Sequence, residues 1–98
     1  MRAAGAGLAL VARVVLAVAG AVFLIIALAI VLTLLGANAA NVIVRIVTGA
    51  ARFLAGPFEG LFRLGDPKLT DALNWGIAAF VYLVVGVVIA GSLRRVGR

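Results

Sequence analysis

The pattern of hydrophobic and polar positions begins with one long stretch that carries no charge. Arg13 and Arg45 bound this stretch, and its densest part, residues 14–35, is interrupted only by the weakly polar Thr33. A helix that crosses the hydrocarbon of a bilayer needs about 20 apolar residues, at about 1.5 Å of rise each. The stretch therefore predicts a transmembrane helix at residues 8–35, with the guanidinium of Arg13 reaching back to the interface.

A secretory signal peptide is the competing interpretation of this stretch. Met1-Arg2 is a basic start, and Ala37-Asn38-Ala39 has the small residues of a cleavage site. However, the apolar core is much longer than the roughly 7–15 residues of a signal peptide. We therefore expect an uncleaved membrane anchor.

A second uncharged stretch, residues 72–93, predicts another transmembrane helix. Asp66 can cap the first turn and Pro67 suits the first helical position, so we place this helix at residues 67–93. A basic tail, residues 94–98, follows it. Tryptophan and arginine collect at the edge of the hydrocarbon. The residues expected to anchor the chain at the membrane surface are Trp75, Arg94, Arg95 and Arg98.

The segment between the two stretches, residues 38–64, is too apolar for an ordinary loop. Its polar residues recur at spacings of three and four, which places them within an arc of about 80° on a helix. This polar stripe comprises Asn38, Asn41, Arg45, Thr48 and Arg52. The pattern predicts an amphipathic helix that lies in the plane of the membrane interface, with its apolar side toward the hydrocarbon.

Gly56 and Pro57 should break this interfacial helix, because proline removes a backbone donor and clashes with the preceding turn. Beyond the break, Glu59 and Arg63 have the i,i+4 spacing of an ion pair, which predicts a second, shorter helix. The expected fold is therefore an all-α membrane protein with one domain, residues 1–98. Two transmembrane helices form a hairpin, joined by a kinked amphipathic interfacial helix.

Composition agrees with this fold class. Hydrophobic residues make up 66% of the 98 residues, and charged residues only 12%. A soluble domain of this size needs more polar surface, because folding buries only part of what the chain exposes. The formal net charge is +6. Because the basic residues flank the apolar stretches, membrane orientation and anionic lipid explain this charge better than nucleic acid does.

The chain carries little that suggests chemistry. It has neither cysteine nor histidine, which excludes disulfides, thiolate chemistry and His/Cys metal sites. The carboxylates, Glu59, Asp66 and Asp71, lie in or beside the connection near basic residues, as solvated charges at helix ends do. Neither Ser92 nor Thr33 has an activating base nearby in the sequence. We therefore expect no enzymatic activity, no catalytic residue, no metal and no cofactor.

The basic residues also suggest an orientation. Both ends of a two-helix hairpin lie on one side of the membrane, and the nine basic residues divide as five at the ends and four between the two uncharged stretches. Basic segments favour the cytoplasmic side. The chain is therefore expected to be a multi-pass protein of the cell membrane with both termini in the cytoplasm.

The connection resembles the loop of the YggT (YlmG-type) family of small bacterial and plastid membrane proteins. The matching residues are Asn41, Arg45, Pro57, Phe58 and Leu61, and the resemblance covers residues 38–88. Family members usually have proline where Val42 and Phe53 stand here, and a basic residue in place of Glu59. The resemblance implies a non-catalytic role in organising membrane complexes, or in division and osmotic tolerance. The Ala-, Val- and Arg-rich usage equally suggests a small actinobacterial membrane protein outside that family.

We expect an accessory, assembly or scaffold protein whose partners are membrane lipid and other membrane proteins or its own copies. One alternative is an oligomeric channel or transporter element, in which Thr33 and Tyr82 would lie at a pore. The other is a lipid- or curvature-sensing protein that acts through Arg45 and Arg52.

Small residues offer a further indication of helix contacts. Pairs four residues apart, such as Ala17/Ala21 and Gly86/Ala90, let helix backbones approach closely. The pattern leaves open whether such pairs join the two helices of the hairpin or bind a partner.

Overall fold

The computed structural model describes the backbone of residues 2–96 and the side chains of residues 5–96. Within this range the chain is all-helical. Its elements are α1 (Arg2–Leu34), α2 (Val42–Leu54), a short 3₁₀ turn (Gly56–Phe58) and α3 (Pro67–Val96). Both α1 and α3 are long and apolar enough to cross a membrane, as the two uncharged stretches predict.

The first helix begins earlier than predicted and ends in a defined capping motif. Its start at Arg2 instead of residue 8 reflects an Ala-rich segment, since alanine is the best helix former. At its end, Gly36 adopts a φ of 70°, a conformation that favours glycine. The Gly36 N–H donates to the Thr33 carbonyl at 3.1 Å, and the Ala37 N–H donates to the Leu32 carbonyl at 2.9 Å. These two bonds form a Schellman motif, which satisfies carbonyls at the helix end.

The start of α2 changes the role of two residues of the polar stripe. Asn41 is the N-cap: its side-chain oxygen accepts from the backbone N–H groups of Ile43 at 2.9 Å and Val44 at 3.3 Å. Asn38 lies outside the helix, where its side chain accepts from the Ala40 N–H at 3.0 Å. The prediction of both asparagines on a helix face was therefore wrong, because asparagine bonds readily to neighbouring backbone outside helices.

The chain after α2 does not form the second helix predicted from the sequence. The helix ends at Leu54, and Gly56 and Pro57 form the 3₁₀ turn that follows it. Residues 59–66 are not helical, and Gly60 within them has a φ of 82°. Instead of bonding along a helix, the backbone of this return segment, residues 59–66, bonds to side chains of α3.

The third helix begins as predicted and runs further than predicted. The Asp66 carboxylate accepts from the Lys68 N–H at 2.8 Å, and Pro67 occupies the first helical position. The helix continues past residue 93 to Val96. Gly91 does not end it, because a glycine within a helix costs only about 1 kcal/mol. Arg94 and Arg95 therefore occupy its last turn. The predicted anchor Arg98 lies outside the described residues.

Three close approaches show that α1 and α3 pack antiparallel. A Cβ placed on Gly86 would lie 2.4 Å from the Cβ of Ala19, and one on Gly76 would lie 4.0 Å from Cδ1 of Ile30. At the end of the pair, Lys68 Nζ lies 3.5 Å from the corresponding position on Gly36. As the residue number increases along α1, the residue number of its contact on α3 decreases, so the two helices run in opposite directions.

The second helix folds back beside α1 and does not lie across the ends of the long helices. Thr48, in the middle of α2, lines a pocket together with Thr33 near the end of α1. Ala51, further along α2, belongs to the same buried cluster as Ala29 and Ile26, which lie about one and two turns back along α1. The complete buried cluster is Ile26, Ala29, Ala51, Ala55, Trp75, Ala78 and Ala79.

Candidate functional site

The polar centre of the molecule is a row of side chains on one face of α3. Thr70, Asn74 and Tyr82 are separated by four and eight residues, so they lie along one side of the helix. We call these three residues the polar ladder. Each of them hydrogen-bonds to backbone of the segment that connects α2 to α3 or to the end of α2 itself. The ladder therefore holds in place a stretch of chain that lacks regular secondary structure.

Thr70 and Asn74 bind the return segment from the start of α3. The Thr70 hydroxyl accepts from the Leu64 N–H at 2.9 Å. Asn74 is only 3% exposed and makes two bonds of 3.1 Å to Phe62, one from its amide to the carbonyl and one from the backbone N–H to its oxygen. This pair of bonds matches what a neighbouring β-strand would supply, so Phe62 remains fully paired outside any sheet.

Tyr82 completes the ladder at the tip of the connection. Its hydroxyl donates to the carbonyl of Leu54, the last residue of α2. The last carbonyls of a helix have no partner within the helix, so this bond satisfies a group that would otherwise be orphaned. The ring packs edge-to-face against Phe58, with centroids 5.7 Å apart and planes at 79°. Tyr82 is therefore a packing group with a satisfied hydroxyl.

Trp75 lies inside the molecule, in contrast to its predicted place at the membrane surface. Its side chain is 1% exposed, and its indole N–H donates to a carboxylate oxygen of Glu59 at 3.3 Å. The Arg52 guanidinium stands over the ring at 5.4 Å from its centroid. Because α2 and the return segment cover the indole, it is not available to contact lipid headgroups as an anchor.

The charged residues around Trp75 form a small cluster of weak interactions. Arg52 Nη2 lies 3.6 Å from Asp71 Oδ2, and the arginine side chain is largely exposed. Exposed ion pairs of this kind contribute about 0–1 kcal/mol. The cation–π contact adds about 0.5–1 kcal/mol at such a site. The cluster therefore orients Arg52 more than it stabilises the fold.

The remaining residues of the stripe play unequal parts. Arg45 is exposed on α2. The Thr48 hydroxyl donates to the Val44 carbonyl at 2.8 Å, so it is used within its own helix. Of the predicted polar stripe, the structure brings only Arg52 into contact with α3.

Small residues are buried between α1 and α3 at the end of the pair that lies away from α2 and the return segment. Gly86 is buried against Ala19, and Ala12 and Ala90 are also buried. Ala17 and Ala21 are exposed. Of the two small-residue pairs identified in the sequence, Gly86/Ala90 therefore lies in the contact between α1 and α3, whereas Ala17/Ala21 faces away from it.

Sequence reasoning missed the main polar contacts of this centre. Thr70 and Asn74 received no role from the sequence, although their spacing from Tyr82 on an apolar helix was a usable signal. Polar residues that recur every four positions on an apolar helix indicate a face with hydrogen-bonding partners. Nothing in the local sequence names those partners, which lie 6, 12 and 28 residues away.

No protein-family model matches the chain, and neither a curated protein nor a solved structure matches it. Its functional interpretation therefore rests on its own residues and their geometry.

Proposed function

We propose that α1 and α3 cross the cell membrane as a hairpin, in a multi-pass protein with both ends in the cytoplasm. Support comes from how little of their apolar surface the chain covers: the apolar windows of the two helices are only 17% and 22% buried. Leu24 and Phe80, for example, point outward. A core helix of a soluble protein is covered by its neighbours, so this surface calls for lipid or another membrane protein.

We also propose that the connection, residues 35–66, enters the bilayer to about its middle. Tyr82 lies halfway along α3, about 22 Å from the start at 1.5 Å per residue, and it binds the Leu54 carbonyl. Backbone outside helices is tolerated at membrane depth only where its polar groups find partners in the protein. Thr70, Asn74 and Tyr82 provide such partners. The connection is then an inserted segment, and an interfacial helix lying flat is the competing arrangement.

A depth measurement distinguishes these two arrangements. The chain has no cysteine, so Gly56→Cys and Asn38→Cys each carry one fluorescent label at a defined place. A Cβ on Gly56 meets nothing within 4 Å, so a cysteine is accommodated there. Quenching by lipids that carry quenchers at different depths should place the Gly56 label near the bilayer centre and the Asn38 label near the headgroups. Two labels at the same shallow depth would support the flat arrangement instead.

On this architecture the proposed function is that of a non-catalytic accessory or assembly protein, which packs against larger membrane proteins or its own copies. The observation that carries it is the contrast between a satisfied interior and uncovered sides. Every buried side-chain nitrogen or oxygen among residues 5–96 has a hydrogen-bonding partner. The polar groups therefore serve the fold of the connection, and the surface offered outward is apolar helix. Membership of the YggT family, proposed on Asn41, Arg45 and Pro57, would fit this role.

Photo-crosslinking in the native membrane tests this function. A diazirine analogue of leucine at Leu24, which is 67% exposed, should form discrete adducts with one or a few membrane proteins or with a second copy. The matched control is the same analogue at Ile26, two residues away and 0% exposed, which should react only within the chain. Adducts with lipid alone at Leu24 and at Phe80, from a chain that is monomeric in mild detergent, would refute the accessory role.

A further inference from the structure

A pocket of about 290 Å³ opens where α1 ends and α3 begins, apart from the polar ladder. The end of α1, the α1–α2 linker, α2 and the first turn of α3 all contribute to its wall. Two cationic side chains, Arg52 and Lys68, line it, and none of the chain's three carboxylates does. The rest of the wall combines apolar groups such as Leu32 and Val44 with hydroxyl-bearing residues such as Thr33.

The two cations differ in how far they are already engaged. Arg52 forms an ion pair with Asp71, whose Oδ2 lies 3.6 Å from Nη2 of the arginine. A guanidinium has five N–H donors, so this contact leaves most of them free. The Asp66 carboxylate accepts a hydrogen bond from the backbone N–H of Lys68, and not from its side-chain ammonium. The ammonium lies over Gly36, where a Cβ would stand at an ordinary contact distance of 3.5 Å from Nζ.

The position of the pocket indicates the chemistry of its ligand. It lies at the ends of two apolar helices, which is the level of the lipid headgroups if these helices cross the membrane. Arginine recognises phosphate through its planar fork, and lysine acts beside it as a point charge. Basic pockets between transmembrane helices suit anionic headgroups, and apolar walls suit the first carbons of an acyl chain.

We propose that this pocket binds the phosphate of an anionic phospholipid, held by Arg52 and Lys68. The proposal rests on the membrane insertion proposed above and is independent of the accessory role. Bound lipid would join α1, α2 and α3 at one point, because Arg52 belongs to α2, Lys68 to α3 and Gly36 to the end of α1.

The test measures binding of phosphatidylglycerol to the full chain in a zwitterionic detergent at 0.15 M salt, by native mass spectrometry. Lys68→Gln and Arg52→Gln should each weaken binding about tenfold, the range expected for loss of a charge-assisted hydrogen bond. The matched control is Arg45→Gln, which removes one positive charge from an exposed site outside the pocket lining. Its effect should stay below about threefold, because Arg45 does not line the pocket and salt screens its attraction over a longer distance. Circular dichroism confirms that each variant is folded.

Three results would overturn the proposal. An equal loss in all three variants would assign the binding to general surface charge. Equal affinity for phosphatidylcholine would show that anionic charge plays no part. Displacement of the lipid by inorganic phosphate at comparable concentration would assign the site to a free anion. Failure of membrane insertion is detected separately, by release of the chain from membranes washed with alkaline carbonate, so the two proposals fail in distinguishable ways.

Discussion

The two ends of the α1–α3 pair are held together by different means. At one end, α2 and the return segment pack beside the helices, and the interior contains Ile26, Trp75 and the polar ladder. At the other end no third segment of the described chain intervenes, and Gly86 packs directly on Ala19. The first end, which we call the connection end, combines two large buried side chains and hydrogen-bonding polar groups with buried alanines. At the second, the small-residue end, the buried residues Ala12, Ala19, Gly86 and Ala90 are all small.

The difference shows how one apolar composition supports two kinds of packing. If α1 and α3 cross the membrane as proposed, there is no hydrophobic force between them, so close packing and hydrogen bonds must hold them together. The small-residue end depends on close approach of two backbones. The connection end depends on side chains such as Asn74 and Tyr82 that satisfy backbone groups of an irregular segment. Substitutions can therefore weaken either end separately.

The largest effect is expected at the small-residue end, from Gly86→Ala. The new methyl group would lie 2.4 Å from the Cβ of Ala19, so the helices must move apart. Overpacking of this kind lowers the free energy of unfolding by about 1–3 kcal/mol, and we expect the upper part of that range because the neighbouring atoms belong to a short, rigid side chain. Equilibrium unfolding in mixed micelles measures the change.

Gly91→Ala is the matched control for this substitution. Gly91 lies on the same helix, but a Cβ there meets nothing within 4 Å. Since alanine favours a helix over glycine by about 1 kcal/mol, this change should be neutral or stabilising. If both substitutions had the same effect, the close approach of the two helices would not be the basis of packing at this end.

An intermediate effect is expected at the connection end, from Asn74→Leu. Leucine keeps the number and branching of the side-chain heavy atoms but removes both hydrogen bonds to Phe62, and each lost partner of a buried group costs about 1–3 kcal/mol. Because Phe62 is half exposed, we expect a total near 2 kcal/mol. Amide exchange at Phe62 should also accelerate. Asn38→Leu, at an exposed site, should change stability by less than about 0.5 kcal/mol. An unchanged rate of amide exchange at Phe62 in Asn74→Leu would show that Asn74 does not hold the return segment.

The smallest effect is expected from Tyr82→Phe, which removes only the hydroxyl. The ring and its contact with Phe58 remain, while the Leu54 carbonyl loses its side-chain donor. The free energy of unfolding should fall by about 1 kcal/mol. Phe80→Leu, on the exposed side of α3, should leave stability within about 0.5 kcal/mol of the unsubstituted chain. A neutral Tyr82→Phe would mean that water or lipid headgroups reach the tip of the connection.

Features that depend on neighbouring residues were predictable from the sequence. The two uncharged stretches predict α1 and α3, and Asp66 with Pro67 predicts the start of α3. The same reasoning failed at Asn38 and Asn41, because spacing places a residue on a helix face only if the helix extends that far. Asn41 instead caps the N-terminus of α2, a role that also depends only on neighbouring residues.

The arrangement of the connection was not predictable from the sequence. An amphipathic pattern on α2 is satisfied equally by lipid below a flat helix or by α1 beside it, since both are apolar. The sequence alone likewise predicts a surface anchor at Trp75, although α2 covers its side chain in the fold. Only the positions of the other segments distinguish these environments.

The amino-acid sequence by itself determined that the chain consists of long apolar helices, because hydropathy and capping act within a few residues. The tertiary structure alone decided that α2 folds back beside α1 and that Thr70, Asn74 and Tyr82 hold the connection. Those contacts join groups up to 28 residues apart, and a hydrogen bond between distant residues depends on where folding brings them and not on their spacing.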